Sequence, residues 1–170
     1  MLILKVDGNT IEIKYNYRLY KYLVGDDQEK QDEKLDTFLS GLVNDDVDQV
    51  LRFGVAASQN KLTLEQVADQ LDEQDVFEDI HKITTEILKG LCNSGFLALK
   101  VRNWMKYAKT MIEAIGKAYS ESLKKNLTGM TKKEKEDYQS QIEETKVQLD
   151  TFKQQLSKME ERIIFPKSQD

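Results

Sequence analysis

The sequence predicts an α+β chain that is mostly α: an N-terminal β-hairpin packed on a small helical domain, followed by a long helical hairpin or coiled-coil extension. Three observations predict it. Two short runs rich in β-branched and aromatic residues flank Asp7-Gly8-Asn9 at the start. Apolar residues at Leu97, Val101, Trp104, Ala108, Met111, Ile115 and Tyr119 recur by threes and fours, which is one stripe of a long helix. Tyr138, Ile142, Thr145, Leu149, Phe152, Leu156, Met159 and Ile163 repeat by four and three as a heptad seam. Three segments are therefore expected: an acidic hairpin-plus-helix domain over 1–94, a basic central helix over 95–129, and a heptad-bearing C-terminal helix and tail over 130–170.

At the N-terminus, Leu2, Leu4 and Val6 alternate on one face, and Ile11, Ile13 and Tyr15 on one face of the partner run. The glycine-containing connection supplies the positive φ that a hairpin turn needs. An isolated hairpin is marginal, so this one is expected to lie on helices or to pair with another copy, and its edges could accept an added strand. Tyr17 to Val24 forms a short helix ended by Gly25. The polar stretch Asp26 to Glu33 leads into a helix with Leu35, Phe38, Leu39 and Leu42 inward. Asn44-Asp45-Asp46 caps the next helix, on which Val47, Val50, Leu51 and Gly54 align.

Thr63 and Gln66 form a capping box, with Leu62 and Val67 as its hydrophobic staple and Leu64, Val67, Ala68 and Leu71 on the buried side. Asp75 with Glu78 is expected to cap a helix whose stripe runs Val76, Ile80, Ile83, Ile87, Leu91. Asn93-Ser94-Gly95 ends it, and the central helix then runs from Phe96 to Asn126. Gly129 suits a left-handed cap, and Thr131 with Glu134 forms a second capping box before a helix from Lys132 to Ile163. Two helices of nearly equal length joined by a short glycine-containing loop favour an antiparallel hairpin, although the seam could instead meet a second chain.

Charge and composition narrow the function. The chain is 39% hydrophobic, enough for a core, and its single proline, Pro166, permits long unbroken helices. Residues 1–94 hold 10 basic and 19 acidic side chains, residues 95–129 hold 7 and 2, and the rest hold 8 and 9. The basic helix thus has acidic partners within its own chain, and the net charge of −5 argues against nucleic acid. No apolar run reaches membrane-spanning length and no N-terminal signal pattern is seen, so a cytoplasmic protein is expected. Cys92 sits in an apolar pattern as a small core residue. His81 has no companion ligands for a metal and no nucleophile or glycine-rich anion cradle to serve. The Asp45, Asp46, Asp48 group lacks the glycine and glutamate of a calcium loop. No catalytic, cofactor or metal site is expected, which points to an interaction protein and not an enzyme.

The run Val6-Asp7-Gly8-Asn9-Thr10-Ile11-Glu12-Ile13-Lys14-Tyr15-Asn16-Tyr17 resembles the start of tail assembly chaperones from long-tailed phages (siphoviruses) of Gram-positive hosts. So does the order that follows: helices over 32–43 and 45–58, then Lys61-Leu62-Thr63-Leu64-Glu65-Gln66-Val67, then Asn93-Ser94-Gly95-Phe96-Leu97-Ala98-Leu99-Lys100-Val101. The resemblance lies in that order and reaches to about residue 110; the heptad segment after Thr131 falls outside it. It implies a protein that binds the tape measure protein in the host cytoplasm, keeps it soluble, helps recruit tail tube protein, and is absent from the mature virion. It also implies that a longer form can arise by ribosomal frameshifting, for which the composition break near Gly129 is the candidate junction.

The expected partner-binding surface is Phe96, Leu99, Lys100, Arg102, Trp104, Lys106, Tyr107 and Lys109. These span more than one stripe, so one helix cannot bury them all against a single core. Large aromatics with arginine are the usual interface anchors. Self-association through the hairpin edge or the C-terminal heptads is a further expectation. A coiled-coil adaptor or scaffold is the alternative, and a small nucleic-acid-binding regulator a weaker one.

Overall fold

A computed structural model describes residues Leu2 to Ile163. It is mostly helical, with one two-stranded antiparallel sheet at the N-terminus. The chain divides into two compact units: Met1–Arg102 together with the chain from Met159 onward, and Asn103–Lys158. The division falls inside the two long helices, not at 94/95 and 129/130.

In the first unit, β1 (Leu4–Val6) pairs with β2 (Asn9–Ile11), with Leu4 opposite Ile11 and Val6 opposite Asn9. The connection is shorter than the three residues expected. Asp7 and Gly8 alone turn the chain, at φ 51° and 77°, which is the two-residue turn whose twist matches the strands it joins. Leu4 and Val6 are buried as the alternation requires.

The outer edge of β1 is not open. Lys5 N donates to Gln70 Oε1 at 2.7 Å while Gln70 Nε2 donates to Lys5 O at 3.0 Å. Ile3 N donates to Gln74 Oε1 at 3.1 Å and Gln74 Nε2 donates to Ile3 O at 2.7 Å. Two glutamine amides one helical turn apart therefore copy the donor–acceptor pattern of a third strand. This corrects the expectation that both hairpin edges are available for strand addition.

Helices α1 (Tyr17–Val24), α2 (Gln31–Val43), α3 (Val47–Ala57), α4 (Leu64–Asp72) and α5 (Ile80–Cys92) enclose the core of this unit. Asn16 caps α1, and Gly25 ends it at φ 76° with its N–H on Lys21 O. Asp46 caps α3, and the Thr63–Gln66 capping box is formed in both directions. Three local expectations fail. Asp75 adopts a left-handed conformation and caps nothing; the side chain that accepts from the start of α5 is Asp79, on Lys82 N. Val47 and Leu64 are exposed, each at the first position of its helix, where the chain is only entering the packed layer. Phe53, absent from the expected stripe of α3, is fully buried against Tyr15, ring centroids 5.8 Å apart. Gly54 lets α3 and α4 approach: a Cβ there would collide with Val67.

Helix α6 (Gly95–Ser122) supplies its first turns to this unit and continues into the second, where α7 (Lys132–Arg162) returns. Within the second unit the helices run antiparallel. Tyr138 Oη donates to Ser122 O at 2.8 Å, and a Cβ on Gly116 would lie 3.9 Å from Leu149. The Thr131–Glu134 box forms, and Gly129 has φ 88°. Helix α6 stops four residues before the expected Asn126. Ser122 Oγ turns back onto Tyr119 O at 2.7 Å, and the Tyr138 hydroxyl takes the Ser122 carbonyl, so the C-terminal acceptors are satisfied there. Both stripes read from the sequence face inward: every residue of each is buried or half-buried.

Candidate partner-binding surface

The surface begins with how α1 and α6 present their first turns. Asn16 Oδ1 accepts from Leu19 N at 3.1 Å, which fixes the start of α1 and sets Tyr17 and Tyr20 three residues apart on one side. Phe96, in the first turn of α6, meets both rings edge-on: 5.1 Å and 83° to Tyr17, 5.3 Å and 71° to Tyr20. Such T-shaped pairs place the positive ring edge against a negative face. Tyr20 is the buried floor, its hydroxyl directed to Gln31 Oε1 at 3.3 Å. Tyr17 is the open side, 55% exposed.

One turn on from Phe96, the Lys100 ammonium lies 5.0 Å from the Tyr20 ring centroid and 3.7 Å from Asp32 Oδ1. Asp32 is almost fully exposed, so the ion pair itself contributes little. The ring and the carboxylate together hold the lysine stem along the aromatic cluster. Leu99, beside it, is 53% exposed. The result is an aromatic floor with two uncovered apolar side chains and a positioned cation.

The eight residues expected from the sequence all lie on α6. Phe96, Leu99, Lys100 and Arg102 belong to the first unit, and Trp104, Lys106, Tyr107 and Lys109 to the second. Trp104 is buried, whereas Arg102, Lys106, Tyr107 and Lys109 are exposed. Tyr17, Tyr20 and Asp32 were not among the sequence-derived residues. The available signal was the density of aromatics before α2: four of the seven tyrosines fall between Tyr15 and Tyr22.

Chemically the arrangement offers packing and a cation. Burial pushes the Cys92 thiol up to about 11, against a smaller opposing pull from Arg102, so it stays protonated at neutral pH. His81 is exposed and its Nδ1 lies 3.1 Å from Asp45 Oδ2. Among the described residues, no group of three or more His, Cys, Asp or Glu side chains could hold a metal ion. No described helix is long and apolar enough to cross a membrane.

No protein-family model, curated protein or solved structure matches this chain.

Proposed function

We propose that this chain is a tail assembly chaperone of a long-tailed phage. In this reading it acts in the host cytoplasm, binds the tape measure protein, keeps it soluble, helps recruit tail tube protein and does not remain in the mature virion. The order of N-terminal segments that resembles that family supports the reading. The observation that carries it is the cluster at the start of α6, where Tyr17 and Leu99 stay more than half exposed beside Phe96 and Lys100. An amphipathic client helix could lay its apolar stripe on the aromatic floor and a carboxylate near Lys100. A mixed apolar and charged contact suits a client that must later be surrendered to the assembling tube, because release requires a moderate off-rate.

The coiled-coil adaptor is weakened by the state of the seam. The eight seam residues from Tyr138 to Ile163 are each buried or half-buried within a single chain, so that stripe is largely covered before any outside helix meets it.

Co-expression with tape measure fragments tests the proposal. The double variant Tyr17→Ser with Leu99→Ser removes exposed apolar surface, gives up the Tyr17–Phe96 ring pair, worth about 0.5–1.5 kcal/mol, and should still melt in one cooperative transition. Fragments that are soluble with the unaltered chain should then pellet. A variant with Lys100, Arg102 and Lys106 all changed to Glu should behave alike. Fragments that remain soluble with both folded variants would refute the surface.

A further inference from the structure

We propose that the open edge of the second hairpin strand and the segment that continues it, from Thr10 to Lys14, pairs antiparallel with the same edge of a second copy of this chain, with Ile13 on the two-fold axis. The two edges of the hairpin are treated differently. Gln70 and Gln74 close the edge of β1 with four side-chain hydrogen bonds. On the other side, the register leaves the N–H and C=O groups of Thr10 and Glu12 pointing away from β1. Among the described residues no backbone or side-chain hydrogen bond covers them.

The strand pattern also outlasts the paired strand. Exposure alternates without a fault, with Thr10, Glu12 and Lys14 outward and Ile11, Ile13 and Tyr15 half-buried. The exposure pattern of a strand thus continues to Tyr15, although β2 and its pairing with β1 stop at Ile11. A groove of about 740 Å³ opens between this segment and α5, lined by Ile11, Ile13, Tyr15, Ile83 and Ile87 among others. Apolar surface and unpaired backbone therefore occur together.

Charge selects a second copy as the occupant. In an antiparallel pairing centred on Ile13, Glu12 of each chain faces Lys14 of the other, twice over. Ile13 faces Ile13, and Ile11 faces Tyr15, on the half-buried side. Sliding the pairing by two residues either way sets Glu12 against Glu12 or Lys14 against Lys14, and like charges directly opposite are unfavourable. One register satisfies the backbone, the charges and the apolar face together. Within one chain Glu12 and Lys14 already sit 3.7 Å apart, both largely exposed, and are available to form this crossed pair.

Sedimentation of the full chain over a concentration series tests this, and it does so whether or not the chain binds a tape measure protein. A monomer–dimer equilibrium is expected. Glu12→Lys and Lys14→Glu, each placing like charges opposite at two points, should raise the dissociation constant roughly tenfold or more. The double exchange, Glu12→Lys with Lys14→Glu, should restore it, because the crossed pairs are re-formed with reversed sign. Ile13→Cys should give a disulfide-linked dimer under mild oxidation, since directly opposed residues that do not exchange hydrogen bonds have neighbouring Cβ atoms. The unaltered chain, whose Cys92 is buried, is the control. A chain that stays monomeric, a dimer indifferent to the single charge reversals, or a dimer in which Ile13→Cys fails to cross-link would each overturn the proposal.

Discussion

Arg162 holds Asp45 with both terminal nitrogens: Nη1 donates to Oδ1 at 2.8 Å and Nη2 to Oδ2 at 3.0 Å, across 117 residues of chain. Arg162 is the last residue of α7, and Asp45 is the left-handed residue, φ 58°, between α2 and α3. Nη1 also donates to Leu42 O at 3.1 Å, a carbonyl in the last turn of α2. Thr84 Oγ1 donates to Asp45 Oδ1 at 2.6 Å. The guanidinium thus ties the end of α7 to an inter-helix corner and to α5 in one network. Planar, two-pronged geometry is what arginine offers and lysine does not.

Arg162→Ala should therefore destabilise the protein by about 1–3 kcal/mol, since it removes the charged partner of a partly buried carboxylate, which keeps only Thr84 and His81, and one of the donors to the Leu42 carbonyl. Arg162→Lys should recover less than half of the loss. Urea denaturation of the three proteins gives the comparison, and an Arg162→Ala cost below about 0.5 kcal/mol, the range of ordinary surface changes, would mean that the network does not hold the corner.

The same network makes a pH prediction. Burial alone would raise the Asp45 carboxyl, but the hydrogen bonds from Arg162, Thr84 and His81 outweigh it and hold the group down at about 2, against an ordinary value of 3.8. A carboxyl that is more acidic folded than unfolded stabilises the fold fully above its unfolded value. That contribution fades as pH falls from about 3.8 towards 2. The stability gap between the unaltered protein and Asp45→Asn should accordingly be constant from pH 7 to 5 and narrow below pH 4. A gap of equal size at pH 2.5 and pH 6 would show that the carboxylate charge is not what matters.

Gln70 gives a cleaner isosteric test. Gln70→Glu keeps the acceptor for Lys5 N but replaces the donor to Lys5 O with a second acceptor. Amide hydrogen exchange at Ile3 and Lys5 should accelerate several-fold, and stability should fall by about 1–2 kcal/mol, the cost of one broken bond plus a repulsive contact. Unchanged exchange at both positions would mean that the glutamine rungs are incidental.

These features mark where the sequence ceases to be legible. The hairpin, the capping boxes at Thr63–Gln66 and Thr131–Glu134, the stripe of α6 and the seam of α7 are all local patterns, and a period of 2, 3.5 or 3.6 reports them directly. The α+β, mostly helical architecture followed from them. The Gln70 and Gln74 rungs and the Arg162–Asp45 pair join residues 65 to 117 positions apart. A glutamine or arginine carries no local sign of such a partner. The surface was half legible for the same reason. Phe96, Leu99 and Lys100 stand out because one helix cannot bury everything it carries, but the meeting of Phe96 with Tyr17 and Tyr20, and of Lys100 with Tyr20, depends on how α1 and α6 pack. Periodicity places Val47 and Leu64 inward because it ignores where a helix enters its layer.

The last prediction concerns Tyr15 and Gly90. Tyr15 follows the hairpin and stacks on Phe53, and its ring lies where a Cβ of Gly90 on α5 would be. Gly90 is helical, so an alanine there gains intrinsic helix propensity, worth about 1 kcal/mol. The overlap works the other way. The ring, not a flexible chain end, occupies the space, and it is backed by fully buried Phe53. Forcing them apart should cost about 1–3 kcal/mol, enough to cancel or exceed the helical gain. Gly90→Ala alone should thus be neutral to destabilising, whereas Gly90→Ala in a Tyr15→Leu background should be stabilising relative to Tyr15→Leu. Alkaline titration reads the same packing independently. Burial first, and the charge of Glu86 second, push the Tyr15 phenol up to about 12 from an ordinary 10.0. A group whose folded pKa is raised favours the fold below the unfolded value, and that contribution is lost as pH climbs from about 10 to 12. Ultraviolet difference absorbance should therefore show a late-ionising phase that is absent in Tyr15→Leu and shifted to lower pH in Gly90→Ala. A stabilised Gly90→Ala single variant that keeps the late phase unmoved would show that α5 and the Tyr15 ring are not in the contact described.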